Sequence, residues 1–490
     1  MHITVFLELG GASLRVAWFA AAGKRTHIFR HPGNNHANHT VPDTSHPTPS
    51  WSVYRNNIDK MTAPPVRIVA TGGHSGLGFE AIKTLLGAPV TAGGCHLILF
   101  ARDRNASHVQ AARRALLEQT ARLESPPRNL RIDVRSMDLA SLASVRLAAS
   151  ELRDELLLLR KQKIEDSDTP ASASTAVSDS PVHSEECEQR EDDHIDIILL
   201  NAALAKAKRE SVVDTDKSTL GYPNDTLIND NGELETTACV NHVAHLVFLT
   251  TLAPVFTSPA NTSSKSHSNA RTGRQRRTRI VFTGSELHRS VKDLATLDAF
   301  FAAPRSDFES GSGSGSGSGL PQQTAQNHPK WTLRETYAAS KFLQMLGIRA
   351  FRRKLEQALL SSPADHADPS RSRSAPGYGI EIVIVQPGFV PQTGLARETS
   401  WFGRLVMSYL LPLALFTTSL DQAGRYIAQA CYPSSVSAWS KQHEDDGFHS
   451  PHSHVRAALL QQKNGSQLFA TLDQRSADIQ LQEKWWPSAC

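Results

Sequence analysis

Six short runs rich in β-branched and other apolar residues recur along the sequence, at 67–70, 96–101, 130–137, 195–200, 279–283 and 380–386. Amphipathic segments separate them, at 77–86, 108–123, 142–160, 234–256, 337–360 and 421–432. Strands that are apolar throughout, and not only at alternate positions, are buried on both faces. Alternation with helical patterns therefore predicts an α/β chain whose parallel sheet is covered by helices on both sides. Between these elements lie tracts too polar or too repetitive to bury a core. Residues 165–193 are rich in Asp, Ser and Glu, and 258–278 carry Lys265, Arg271, Arg274, Arg276 and Arg277 with no acid. Residues 310–319 alternate Gly and Ser, and 361–376 and 434–454 are polar. Each tract falls between elements, where a surface loop tolerates insertion. Setting them aside with the N-terminal stretch leaves about 300 residues, the scale of one core. The expected organisation is a disordered N-terminal extension over 1–60 and a domain over 61–433. Insertions fall near 165–193, 258–278, 303–330 and 361–376, and a partly disordered C-terminal extension covers 434–490.

Charge is nearly balanced, 52 basic against 48 acidic residues for a net +4, so no basic field points to nucleic acid. Cys95, Cys187, Cys239, Cys431 and Cys490 are odd in number, far apart and form no CxxC, which argues against a disulfide framework and for a reducing compartment. The 21 histidines show no metal-ligand spacing, and no metal is expected. Residues 1–24 are apolar, yet Glu8 and Arg15 interrupt them and the leading flank is not basic. A cytoplasmic setting is expected, with a mitochondrial presequence the lesser alternative.

The first apolar run leads straight into Thr71-Gly72-Gly73-His74-Ser75-Gly76-Leu77-Gly78 and then a helical pattern. Glycines at 72, 76 and 78 permit a tight turn and close approach of a pyrophosphate to a helix N-terminus. At the end of the second run stands Arg102, where a carboxylate would instead favour NAD. Arginine suits a ribose 2′-phosphate through bidentate bonds, so NADP(H) is expected ahead of NAD(H). Tyr337 and Lys341 open a helix at i, i+4 spacing, on one face. A nearby ammonium favours a phenolate and brings a tyrosine toward proton exchange at neutral pH. Ser285 follows the fifth run, Asn241 lies within a helical pattern that gives an amide no propensity advantage, and Asn201-Ala202-Ala203 follows the fourth. Pro387-Gly388 follows the sixth. Carboxyl ends of parallel strands are where open α/β sheets bind ligands.

In this order the motifs resemble those of the short-chain dehydrogenase/reductases, in particular the retinol-dehydrogenase-like branch, from about residue 67 to 432. The resemblance implies a Rossmann-type, doubly wound parallel sheet and an NAD(P)-dependent oxidoreductase that interconverts a carbonyl and an alcohol. It places the catalytic tetrad on Asn241, Ser285, Tyr337 and Lys341. Cofactor contacts are implied for Thr71, Gly72, Ser75, Gly76, Leu77, Gly78, Arg102, Asp138, Leu139, Asn201, Ala202, Tyr337, Lys341, Pro387, Gly388, Val390 and Thr393. In the implied mechanism Tyr337 is the general acid/base and Lys341 lowers its pKa. Ser285 polarises the carbonyl, and Asn241 holds a water that relays protons. The chain departs from the pattern in places. Ala244 stands where retinol dehydrogenases have glycine, Ser285 and Tyr337 are 52 positions apart, and Thr393 comes six residues after Pro387. The stretch from Pro387 is also similar to light-dependent protochlorophyllide reductase, but Phe389 replaces its cysteine and that activity is not carried over.

Residues 401–416 are strongly apolar but too short and too broken by Pro412 to span a bilayer. They are expected to close over a hydrophobic small-molecule substrate, to touch a membrane surface such as that of the endoplasmic reticulum or a lipid droplet, or to pack as a core helix. The expected activity is that of a carbonyl reductase acting on a lipid- or steroid-like molecule, with a 3-ketosteroid reductase of sterol synthesis as the alternative. A catalytically silent NADP-binding sensor or scaffold is the alternative from another class. Members of the resembled family often pair through the helices that correspond to 234–256 and 337–360, so a homo-oligomer is an expectation of the same kind.

Overall fold

The structure, a computed structural model, describes residues 4–9, 12–17, 65–168, 193–213, 226–228, 233–257, 277–302, 331–361, 379–393, 417–432, 455–463, 466–487 and 490. The expected insertion at 303–330 and the apolar stretch at 401–416 lie outside the described residues, as do nearly all of the other polar tracts. Met1–Asn56 is a unit by itself. Within it β1 (Thr4–Leu9) pairs antiparallel with β2 (Ala12–Ala17), so the segment expected to be disordered contains a hairpin.

In the second unit, Asn57–Cys490, the chain runs through β3 (Val66–Thr71), α1 (Gly76–Leu86), β4 (Cys95–Ala101), α2 (Ser107–Ala121), β5 (Leu130–Ser136), α3 (Leu142–Asp168) and β6 (Ile197–Leu200). A small antiparallel pair, β7 (Ser211–Val213) and β8 (Glu233–Glu235), precedes a long helix. That helix joins Thr236–Ala238, a π-helical turn at Cys239–Val243 and Ala244–Thr257, together α4. Then come β9 (Thr278–Thr283), a 3-10 turn (Glu286–Ser290), α5 (Ala295–Phe301), α6 (Leu333–Leu360), β10 (Ile380–Gln386) and α7 (Leu420–Ala430). The chain closes with β11 (Val455–Lys463), β12 (Ser466–Phe469), a 3-10 turn (Gln474–Ala477) and α8 (Ile479–Lys484).

Eight strands form one sheet in the order β12-β11-β10-β9-β6-β3-β4-β5. Seven are mutually parallel and β12 returns antiparallel along β11. The order reverses direction between β3 and β6, which makes this a doubly wound, Rossmann-type α/β sheet. The period of two along each strand divides the core. Ile68, Ala70, Val383 and Val385 face Ile82 and Leu85 of α1, Leu116 of α2 and Ile427 of α7. Val69, Ile382 and Ile384 face Leu152 of α3, Phe248 of α4 and Leu343 of α6. Both faces are dry, which is why the strands read as unbroken apolar runs. Among the described residues one helix, α4, is apolar and long enough to cross a membrane, but most of it is buried against the sheet.

The C-terminal boundary expected at 433 falls short. Val455–Lys463 supplies the seventh parallel strand, in register with β10 from Ile380↔Val455 to Gln386↔Gln461. Trp485, 1% exposed, packs into the core face shared by α3, α4 and α6. A strand preceded by a polar tract and lacking a following helix pattern carries little local signal, and its place is decided by the open edge of β10.

Candidate active site

Thr71, the last residue of β3, is buried, and its hydroxyl accepts from the backbone N–H groups of Asn201 (3.2 Å) and Ala202 (3.3 Å). The Asn201 amide donates to the Gly72 carbonyl at 3.3 Å and accepts from the Thr283 hydroxyl at 3.0 Å. One side chain thus ties together the carboxyl ends of β3, β6 and β9, and a cleft of about 540 Å³ opens there. Its wall includes Thr71, Gly72, Ser75, Gly76, Leu77, Arg102, Asp138, Leu139, Asn201, Ala202, Tyr337, Lys341 and Thr393. The structure therefore brings together most of the residues expected from the sequence.

Gly72 is at φ 64°, in the left-handed region, and a β-carbon on it would meet the Ala202 backbone at 2.9 Å. A β-carbon on Gly78 would run into the Gly72 carbonyl. These two positions admit glycine alone, and the result is a turn whose backbone lies bare at the start of α1. Gly78 itself is buried and absent from the cleft wall; it sets the packing of α1 on the turn. Pro387, Gly388 and Val390 also lie off the wall, leaving Thr393 as the expected contact from that loop that reaches it.

Arg102, 76% exposed at its side chain, stands 3.5 Å from the Asp138 carboxylate. Asp138 Oδ1 also accepts from the Ala140 N–H at 3.0 Å, which fixes the carboxylate at the head of α3. Two histidines not singled out from the sequence, His74 and His108, line the same end of the cleft with ring centroids 5.7 Å apart. Nothing in their local sequence marks them, since they converge from the turn and from α2.

Thr332 caps α6, accepting from the Glu335 N–H at 3.2 Å while its hydroxyl donates to the Glu335 carboxylate at 3.0 Å. This reciprocal cap starts the helix one turn before Tyr337. Tyr337 is half-buried on the cleft wall, and Lys341 Nζ lies 5.7 Å from its ring centroid. Lys341 is 2% exposed and donates to the Thr283 carbonyl at 2.8 Å. Burial pulls its pKa down to about 7 and pushes the Tyr337 phenol up. Desolvation acts on both groups toward their neutral forms. It works against the lowering of the phenol expected from the i, i+4 pair.

The other two expected catalytic residues are placed differently. Asn241 sits on the π-turn of α4, fully buried, with its amide spent: Oδ1 accepts from Leu204 N at 2.8 Å, and Nδ2 donates to Leu204 O at 2.8 Å and Ser340 Oγ at 3.0 Å. It clamps the loop after β6, and so the cleft wall at Leu204, to the helix of Tyr337. Ser285 caps the 3-10 turn Glu286–Ser290, its hydroxyl accepting from Leu287 N at 3.3 Å, and it is not on the cleft wall. Despite the long sequence separation, this turn packs against α6. His245, one helical turn after Asn241, is buried behind Lys341 with Nε2 3.4 Å from the Thr71 hydroxyl. Burial first, then Lys341 and His242, hold its pKa down at about 3, so the ring is neutral.

No protein-family model matches the chain, and no curated protein matches it. Solved structures do align with it at low identity. An NADPH-bound carbonyl reductase from chicken fatty liver is 12% identical over 82% of this chain and 94% of its own, with a TM-score of 0.36. A short chain dehydrogenase from Salmonella enterica is 13% identical over 69% and 81%, with a TM-score of 0.32. An NADH-dependent reductase complexed with NAD is 14% identical over 67% and 79%, with a TM-score of 0.30. The class of fold is defined by the chain's own strand order, and what these proteins bind is theirs.

Proposed function

We propose that the protein is an NADP(H)-dependent oxidoreductase that interconverts a carbonyl and an alcohol on a hydrophobic small molecule, with Tyr337 as general acid/base. The observation that carries this reading is the meeting, on one cleft at the switch point of the sheet, of the glycine turn with Tyr337 and Lys341. The cradle fits a dinucleotide: Gly72 and Gly76 on the wall leave the turn's backbone bare, and the N-terminus of α1 presents backbone N–H groups there. Gly72, Ser75, Gly76 and Leu77 would hold the pyrophosphate, Asp138 and Leu139 the adenine end, and Arg102 a 2′-phosphate. Lys341 and Asn201 would hold the nicotinamide riboside.

A bound nicotinamide supplies the hydride; the chain's own residues do the rest. Tyr337 hands its phenolic proton to the carbonyl oxygen from a half-buried position on the cleft wall. Lys341 fixes the ribose and supplies positive charge when the phenol gives up its proton. Asn241 positions the wall on the substrate side through Leu204, and Leu204, Ala205 and Val240 give that side an apolar surface.

Ser285 favours a second reading, a silent nucleotide-binding protein, because its hydroxyl is engaged as a helix cap rather than presented to the cleft. One experiment separates the two. Purified protein is supplied with NADPH or NADH and a panel of hydrophobic aldehydes, quinones and 3-keto sterols, and cofactor absorbance is followed. Consumption with NADPH ahead of NADH, lost by about a thousandfold or more in Tyr337→Phe, is the expected result for a proton donor of this kind. Tight NADPH binding with no carbonyl consumed would install the silent reading, and no binding of either nucleotide would end both.

A further inference from the structure

Lys341 has a second acceptor besides Thr283. Gln344 Oε1 lies 3.1 Å from its Nζ, and the Nε2 of the same amide donates to the main-chain carbonyl of Asn241 at 3.3 Å. Gln344 is 2% exposed, and Phe342, Leu343, Met345 and Leu346 around it in α6 are all buried apolar residues. A glutamine in such a place costs stability unless both ends of its amide are bonded, and here both are. The two bonds also fix which end is which, since the ammonium requires the oxygen and the carbonyl requires the N–H₂. The carbonyl comes from the π-turn of α4, where the widened helical spacing leaves backbone acceptors open to a lateral donor.

We propose that Gln344 is a positioning residue that braces Lys341 directly against the carbonyl of Asn241, the residue that the family resemblance implied would hold a proton-relaying water. The assignment rests on the oxidoreductase reading for its catalytic consequence, though not for its geometry. An amide that donates with its nitrogen and accepts with its oxygen passes no proton onward, so the proton lost by Tyr337 is replaced from the open cleft and not through α4. The brace also supplies the ammonium with a neutral acceptor. The other groups facing Lys341 are the Tyr337 ring on α6, the neutral His245 on α4 and the Thr283 carbonyl on β9. Among the described residues burial alone, with no carboxylate partner, acts on its charge.

The test reads the titration of Lys341 directly, by nitrogen NMR of lysine-labelled full-length protein, with Lys341→Met assigning the signal. Gln344→Leu removes the acceptor and is expected to move the Lys341 midpoint down by about one pH unit, whereas Gln344→Glu sets a carboxylate against it and moves the midpoint up by at least as much. The pH dependence of NADPH affinity, followed by fluorescence, is expected to shift in the same two directions. Folded variants that leave the Lys341 midpoint where it is in the natural protein would overturn the assignment. If the leucine variant does not fold, the near-isosteric glutamate variant decides alone. Midpoints that move as expected in a protein that binds no NADPH would sink the oxidoreductase reading and leave the brace standing.

Discussion

His245 shows what the site costs at the level of one residue. Its imidazole is held neutral beside Lys341, with its pKa lowered to about 3 by burial, while an unfolded histidine titrates near 6.5. Below the unfolded value the denatured chain takes up a proton that the folded chain refuses, so stability falls as pH drops from about 6.5 toward 3. The loss from this one group is on the order of a few kcal/mol at the lower end. His194, held down at about 4 mainly by burial, adds to the same limb. Urea unfolding at a series of pH values is expected to show a shallower acid limb for His245→Gln than for the natural chain. Parallel limbs would mean that the ring is not the buried base described here. Neither His245 nor Gln344 was legible in the sequence. A buried polar residue on a helix reads like any surface polar residue, and only its partners on other elements, Thr71 and Asn241, distinguish it.

Elements were read more successfully than their ends. The glycine turn and the Tyr337–Lys341 pair were legible because their chemistry is local, a few residues of spacing on one strand-turn-helix or one helical face. Ser285 and Asn241 were legible as residues but not as contacts, since what each hydroxyl or amide bonds depends on segments distant in sequence. α8 was missed altogether. It is short, and its stability comes from Trp485, whose carbonyl accepts from His242 Nε2 at 3.1 Å and whose ring is buried among the residues of α4 and α6. Trp485→Ala is expected to cost about 3–5 kcal/mol through loss of buried contacts. Thermal unfolding followed by circular dichroism would check it, and a midpoint within a degree or two of the natural chain's would refute the core position.

For the molecule as a whole, the sheet was predicted one parallel strand short. Six strands follow from the apolar runs; the seventh, β11, is specified by the vacant edge of β10 and by the core beneath it, to which Val455, Ala457 and Leu459 contribute. A chain ending at residue 454 is therefore expected to lose cooperative unfolding and NADPH binding together, since it exposes the edge and the core face at once. Retention of both, by denaturant titration and fluorescence, would restore the boundary at 433. The bond from His242 to Trp485 carries a consequence in time. His242 adjoins Asn241 on the π-turn that supports the cleft, so the support is closed by a residue 243 positions later in the chain. The half-sheet of β3, β4 and β5 with its glycine turn can form early in synthesis, while the Tyr337 side of the cleft waits for α8. A nascent chain thus has its glycine turn before the opposite wall of the cleft is supported, and the two are brought together late in synthesis.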